Sequence, residues 1–341
     1  MACDDEELPA EPDNSGILIV NEGNFGDANG SLSLYNNNSD SLRNNVFQQA
    51  NNQRELGATL QSVYTDGNGR AYLVCNSADK IEVINLATFE AGRAPIQDPD
   101  LVSPRYMAVS GNKAFVSVWG PFNEDFQLTN SKVAVVDLED GVVDQYIPVP
   151  IGPEDVLLYN NKVYVANSFT DTVTVIDAIT EAILTRIPTN ASPTRMALDA
   201  NNNIWVSTTG GLGGIPQFQR INPETDTVEA SVSLEGTGAN GKFAMNPTLD
   251  SLYYIGTDPF PATSTRIYRQ AITATSAPDF PFVSGEGFYG LGFDPAENIL
   301  YVGDSRSFQQ EGLVFRYALN GTQLDQLGPV GLGPNAFIFP G

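Results

Sequence analysis

Ser103-Pro104-Arg105-Tyr106-Met107-Ala108-Val109-Ser110-Gly111-Asn112-Lys113-Ala114-Phe115-Val116-Ser117 carries the pattern that decides the fold. A Ser-Pro turn opens one strand. Ser110 to Lys113 then supplies residues that tolerate positive φ at a hairpin, and a short apolar strand bearing an aromatic residue runs back. That returning strand recurs as Ala71-Tyr72-Leu73-Val74, Val163-Tyr164-Val165-Ala166, Ile204-Trp205-Val206-Ser207, Leu252-Tyr253-Tyr254-Ile255 and Leu300-Tyr301-Val302-Gly303, with a less aromatic copy at Ile17-Leu18-Ile19-Val20. Positions 18, 72, 115, 164, 205, 253 and 301 lie 41 to 54 residues apart. This is the period of a four-stranded propeller blade.

The neighbours of each copy agree. Gly152-Pro153-Glu154-Asp155-Val156 and Ser192-Pro193-Thr194-Arg195-Met196 repeat the opening turn, and Asn160-Asn161 and Asn201-Asn202-Asn203 repeat the hairpin. An alternating strand follows each copy, as in Lys80–Leu86, Lys132–Leu138, Thr172–Ala178 and Gln217–Asn222, and a more polar fourth strand comes after, as in Val142–Ile147. No stretch keeps a 3.6-residue apolar period, so helix should be nearly absent. The first repeat lacks an inner strand, whereas Gly333-Pro334-Asn335-Ala336-Phe337-Ile338-Phe339 reads as the start of a further blade. The expectation is an all-β, seven-bladed propeller over residues 15–341, its C-terminal strand completing the N-terminal blade and leaving no inner edge unpaired. Residues 1–14, acidic and bearing Pro9 and Pro12, read as a disordered tail that would serve as a lipoprotein linker.

The 341 residues hold 17 Lys+Arg against 41 Asp+Glu, a formal charge of −24, and no histidine. Such a charge opposes nucleic-acid binding. Lacking imidazole, the chain loses the commonest base and metal ligand. Two cysteines form no disulfide framework. Cys75 falls in a core strand and reads as an inert thiol, and no run is long enough to cross a bilayer as a helix. Gly210-Gly211-Leu212-Gly213-Gly214 has no strand–helix unit to make it a phosphate cradle and reads as a hairpin loop. Asp199-Ala200-Asn201-Asn202-Asn203 lacks the glycine and terminal glutamate of a calcium loop. No cofactor is expected, with calcium on rim carboxylates and carbonyls the one alternative. No base working near neutral pH is evident.

Aligned by their turns, the inner strands bring Thr59/Leu60, Arg105/Tyr106, Glu154/Asp155, Thr194/Arg195, Lys242/Phe243, Phe288/Tyr289 and Asn335/Ala336 to seven equivalent stations on one face. Arg105, Arg195 and Lys242, beside Tyr106 and Tyr289, suit a ligand with carboxylate, phosphate or amide groups. Equally, the cations can bridge to Glu154 and Asp155 across the channel. Loops on the same face carry Phe25, Trp119, Phe122, Phe126, Phe169, Phe260 and Phe308. Aromatics grouped on one surface offer a binding area, unless the loops fold over and bury one another. Tyr72, Phe115, Tyr164, Trp205, Tyr253 and Tyr301 read as blade core.

Met1-Ala2-Cys3, followed by Asp4-Asp5-Glu6-Glu7, resembles the end of a bacterial lipobox with the acidic surface-export signal of Bacteroidetes lipoproteins. The resemblance implies lipid on Cys3, with the membrane reached only through that anchor, and an outer-membrane, cell-surface location. The strand pattern resembles the YncE-like, surface-layer-type seven-bladed propellers, and Asn21-Glu22-Gly23-Asn24-Phe25-Gly26 with Gly30-Ser31-Leu32-Ser33-Leu34-Tyr35 is similar to their Bacteroidetes branch. Within it, the BtuG proteins capture cobalamin above an outer-membrane transporter. What that resemblance implies is capture of a corrinoid without conversion, with a TonB-dependent transporter as partner. A protein-interaction scaffold and a calcium-dependent lactonase- or lyase-type enzyme stand as alternatives.

Overall fold

The hairpin at 110–113 joins strands Pro104–Ser110 and Lys113–Val118, with Ser110 opposite Lys113 and Val109 opposite Ala114. Gly111 takes a φ of 61° at the turn, a conformation cheap for glycine alone. The computed structural model describes residues 13–57, 59–257 and 264–339. In it the same unit recurs seven times, and seven antiparallel sheets form.

Blade 3 continues through Lys132–Asp137 and Val142–Pro148, and blades 4 to 7 follow in chain order, opening with Pro153–Tyr159, Pro193–Leu198, Phe243–Met245 and Phe288–Asp294. Blade 2 has three regular strands, Leu60–Thr65, Arg70–Cys75 and Lys80–Asn85. Single bridges from Ile84 to Ala91 and from Ile81 to Ile96 fill its outer position. Blade 1 is built from both ends of the chain. Pro334–Ile338 is its innermost strand, placing Ile338 opposite Leu18 and Phe337 opposite Ile19, so the closure read from the sequence holds. Helix among the described residues amounts to Val46–Ala50 and two short 3-10 turns.

Packing explains why the ring stays closed. Apolar side chains gather into seven clusters, each between two neighbouring blades. The seventh joins Ile17, Ile19 and Tyr35 of blade 1 to Tyr301, Val314 and Leu327 of blade 7. The recurring Tyr72, Phe115, Tyr164, Trp205, Tyr253 and Tyr301 are all buried, as expected of core. Cys75 is buried as well, and burial pushes its thiol up to about 12, which makes it unreactive. Asp13 and Asn14, grouped above with the tail, are pinned to the ring. Asn36 Nδ2 donates to Asp13 at 2.7 Å, and Asn14 Nδ2 donates to the Ala87 carbonyl. Cys3 and the rest of the tail lie outside the described residues.

Candidate functional site

The innermost strands break register at one end of the channel. Pro104 pairs with Val118 but the next pair is Met107 with Val116; Pro153–Val156 and Pro193–Met196 shift in the same way. Shorter slips isolate Gln61, Tyr289 and Asn335. These are β-bulges, which re-aim side chains, and they turn Gln61, Arg105, Tyr106, Glu154, Asp155, Arg195, Tyr289 and Asn335 toward the axis. In blade 6 Lys242 stands one residue ahead of the strand, its carbonyl accepting from Ile255 N–H. The station expected at Thr59/Leu60 is therefore Gln61. Leu60 pairs with Cys75 and is fully buried.

The ring is tied together by its own charges. Arg105 forks onto Glu154, Nε to Oε2 at 3.1 Å and Nη2 to Oε1 at 2.6 Å, while its Nη1 donates to Gln61 Oε1. Gln61 Nε2 passes a bond to the Tyr106 hydroxyl at 3.1 Å. Arg195 lies 4.4 Å over the Tyr106 ring and reaches Asp155 at 3.4 Å. The other Asp155 oxygen accepts from Met196 N–H at 2.7 Å. The Tyr289 hydroxyl donates to Glu22 at 2.6 Å. Arg105 and Arg195 are thus each paired with a carboxylate, Glu154 and Asp155, Arg105 tightly at 2.6 Å and Arg195 loosely at 3.4 Å, which is the second of the two compatible arrangements the sequence offered.

Lys242 differs. Its ammonium donates to Asn335 Oδ1 at 2.6 Å and lies 3.3 Å over the Tyr289 ring, with no ion pair to a described carboxylate. Protein surrounds it inside the channel even though part of its surface stays accessible. Burial lowers its pKa to about 7; Arg195 and Arg105 add to the shift, and Glu22 and Glu154 oppose it. The amine is thus poised to exchange its proton near neutral pH, a group that the sequence alone did not reveal.

Above the ring stands the rim. Phe25 and Phe126 are 85% and 86% exposed, Phe122 and Phe169 52% and 55%, and Leu212 at the tip of the glycine hairpin is fully exposed. Trp119 and Phe308 are partly buried and link rim to ring. Trp119 lies 4.0 Å from the Arg105 guanidinium and edge-on to Phe169 at 5.6 Å, and Phe308 packs edge-on to Tyr289 at 4.9 Å. Two glycines make this seating possible. Gly152 (φ 70°) and Gly333 (φ 62°) lie directly under the rings of Phe169 and Phe308, where a Cβ would overlap them. Phe260 lies outside the described residues. A cavity of about 300 Å³ opens between rim and ring beside Glu22, Phe25, Arg105 and Phe308, and a smaller one of about 120 Å³ lies beneath the ring.

Asp199, in the asparagine-rich turn, spends its carboxylate on the N–H groups of Asn201 and Asn203 and on the Trp205 indole at 2.9 Å. It acts as a turn cap. Among the described residues no group of three or more Cys, Asp or Glu is placed to hold a metal ion.

A bulged channel crowned by loops is propeller architecture, which by itself fixes no activity. The chain belongs to the family described as "Domain of unknown function (DUF5074)", whose model matches residues 15–326. No curated protein matches it. Solved structures resemble it at low identity. A quinonprotein alcohol dehydrogenase-like protein from Bacteroides thetaiotaomicron is 15% identical with a TM-score of 0.70, covering 96% of this chain and 78% of its own. A functionally unknown protein from Desulfotomaculum acetoxidans is 11% identical at 0.68, covering 96% and 100%. The periplasmic gluconolactonase of Pseudomonas aeruginosa is 13% identical at 0.68, covering 94% and 98%. At these identities the likeness is one of fold.

Proposed function

We propose that the aromatic-rimmed face captures a sizeable organic ligand and releases it unchanged. The observation that carries this is the set of exposed phenylalanines, Phe25, Phe122, Phe126 and Phe169, at one end of a chain whose charge is −24. Exposed rings provide stacking area at small entropic cost, and solvent-facing apolar groups collected on one surface mark interaction sites. The ligand sits on the rim and over the mouth, because the ring below is closed by the Arg105–Glu154 fork. Its polar groups meet the edge of the ring, where Glu22, Asn24 and Asn76 line the mouth. A corrinoid is the first probe, nominated by the sequence resemblance, and its breadth suits the face rather than the channel. Lipid on Cys3 and a transporter partner complete this reading.

Binding without turnover is part of the reading, since the ring carboxylates are engaged by arginines, a tyrosine and a backbone N–H. Calorimetry with cobalamin and cobinamide, on the unmodified chain and on a Phe122→Ser, Phe126→Ser, Phe169→Ser triple variant, tests it. The expected result is saturable binding that weakens at least tenfold in the variant. No binding by the unmodified chain removes the corrinoid, and equal binding by both removes the rim. Hydrolysis of glucono-δ-lactone above the buffer rate would overturn the non-catalytic reading.

A further inference from the structure

The cavity of about 120 Å³ beneath the ring has two unlike walls. Lys242, Arg195 and Tyr106 bring hydrogen-bond donors to one side, and Phe243, Leu291 and Ala336 make the other apolar. On the polar side the amide and carboxylate oxygens already hold donors. Asn335 Oδ1 takes Lys242, Gln61 Oε1 takes Arg105, and Asp155 takes the Met196 N–H and Arg195. Donors remain. Lys242 has one hydrogen bond for three ammonium hydrogens, Arg195 holds Asp155 only through a long 3.4 Å contact, and the Tyr106 hydroxyl accepts from Gln61 but has no acceptor among the described residues for its own proton. Two cationic groups therefore face one cavity with no free anion between them.

We propose that this cavity binds a short-chain monocarboxylate, its carboxylate between Lys242 and Arg195 with Tyr106 as a third donor and its alkyl end against Phe243 and Leu291. Charge-assisted bonds of this kind are the strong ones in a water-poor site. The apolar wall selects a carboxylate with a small hydrocarbon tail over phosphate, which has none. The volume admits propionate. The site stands apart from the rim reading, using neither its phenylalanines nor its ligand.

Protonation of Lys242 couples to this site. Burial holds the amine near pH 7, and the groups facing it are Arg105, Arg195, Glu22, Glu154, Tyr289 and Tyr106. A bound carboxylate favours the ammonium form, so binding at pH 8 takes up a proton, and affinity falls as pH rises above about 7.

Calorimetry with sodium propionate, against sodium chloride at equal ionic strength, tests the proposal on the whole chain. Saturable one-to-one binding is expected at pH 6.5, at least tenfold weaker at pH 9, with proton uptake at pH 8 in buffers of different ionisation heat. Lys242→Met should weaken binding at least tenfold, and Lys113→Met, at a surface ion pair, should not. No heat beyond that of chloride, or equal affinity in Lys242→Met, overturns the site. An NMR contact between the propionate methyl and the Phe243 ring gives a reading free of any folding defect in the variant; absence of that contact at saturating propionate also overturns it.

Discussion

Arg105 and Phe126 belong to the same end of blade 3, yet they are held in opposite ways. Arg105 sits on a bulged inner strand, forked onto Glu154, capped by Trp119 and bonded to Gln61. Phe126 sits on a loop with 86% of its surface in water, and its own backbone, at φ 57°, is held by a turn bond to Asn123. The ring is fixed by partners from several blades. At Phe126 the rim is fixed by the local turn of its loop, although Trp119, Phe169 and Phe308 pack on neighbouring residues. A ring so determined should fail cooperatively when disturbed, whereas a rim of separate loops can change one side chain at a time.

Removing residues 333–341 should produce the largest effect, because it strips the inner strand from blade 1 and Asn335 from the ring at one stroke. The melting temperature is expected to fall by about 10 °C or more, since each kcal/mol shifts a domain of this size by only about 2–4 °C and a whole strand is lost. An unchanged scanning-calorimetry trace would show that the ring does not depend on closure. Arg105→Met comes next. It leaves Glu154 buried opposite no cation, a loss of about 3–5 kcal/mol measurable by urea unfolding, while Phe126→Ser should stay within about 0.5 kcal/mol. Similar values for the two would erase the distinction drawn here.

Lys242 sharpens the comparison from within the ring. Its folded-state pKa lies below the unfolded value, near 7 against the usual 10.5. Between those two pH values the unfolded chain binds the extra proton, so this residue makes stability rise with pH across that window. In Lys242→Met that contribution should vanish. Melting temperatures of the two proteins, followed from pH 6.5 to 9.5, should diverge in the direction of a steeper rise for the unmodified chain. Parallel curves would mean that the amine is solvated like a surface lysine.

The sequence makes the blades legible because every returning strand pairs a turn with an apolar run, and closure follows from a first repeat without an inner strand. The ring is legible where proline marks the turn, at Pro104, Pro153, Pro193 and Pro334, each preceded by a residue in left-handed backbone. It is not legible at Thr59-Leu60-Gln61, where no proline sets the register and the alignment slips. Glu22 is hidden for another reason: it comes from the loop after the second strand of blade 1, outside the inner-strand pattern altogether. Whether Arg105 and Arg195 face a ligand or a carboxylate depends on the bulges, which no periodicity encodes. The shift at Lys242 arises from burial and from two arginines contributed by other blades.

Closure also decides which way the molecule faces. Asn21 and Pro334 meet at the ring end, whereas Leu18 and Ile338 meet at the other. Asn14 and Phe339 then line one hollow at that far end. Both ends of the folded chain therefore emerge on the side away from the phenylalanines. A leash attached ahead of Asp13 would hold the propeller like a flower on its stem, petals outward and mouth open to the surroundings. A peptide link joining the two ends there would leave the mouth untouched.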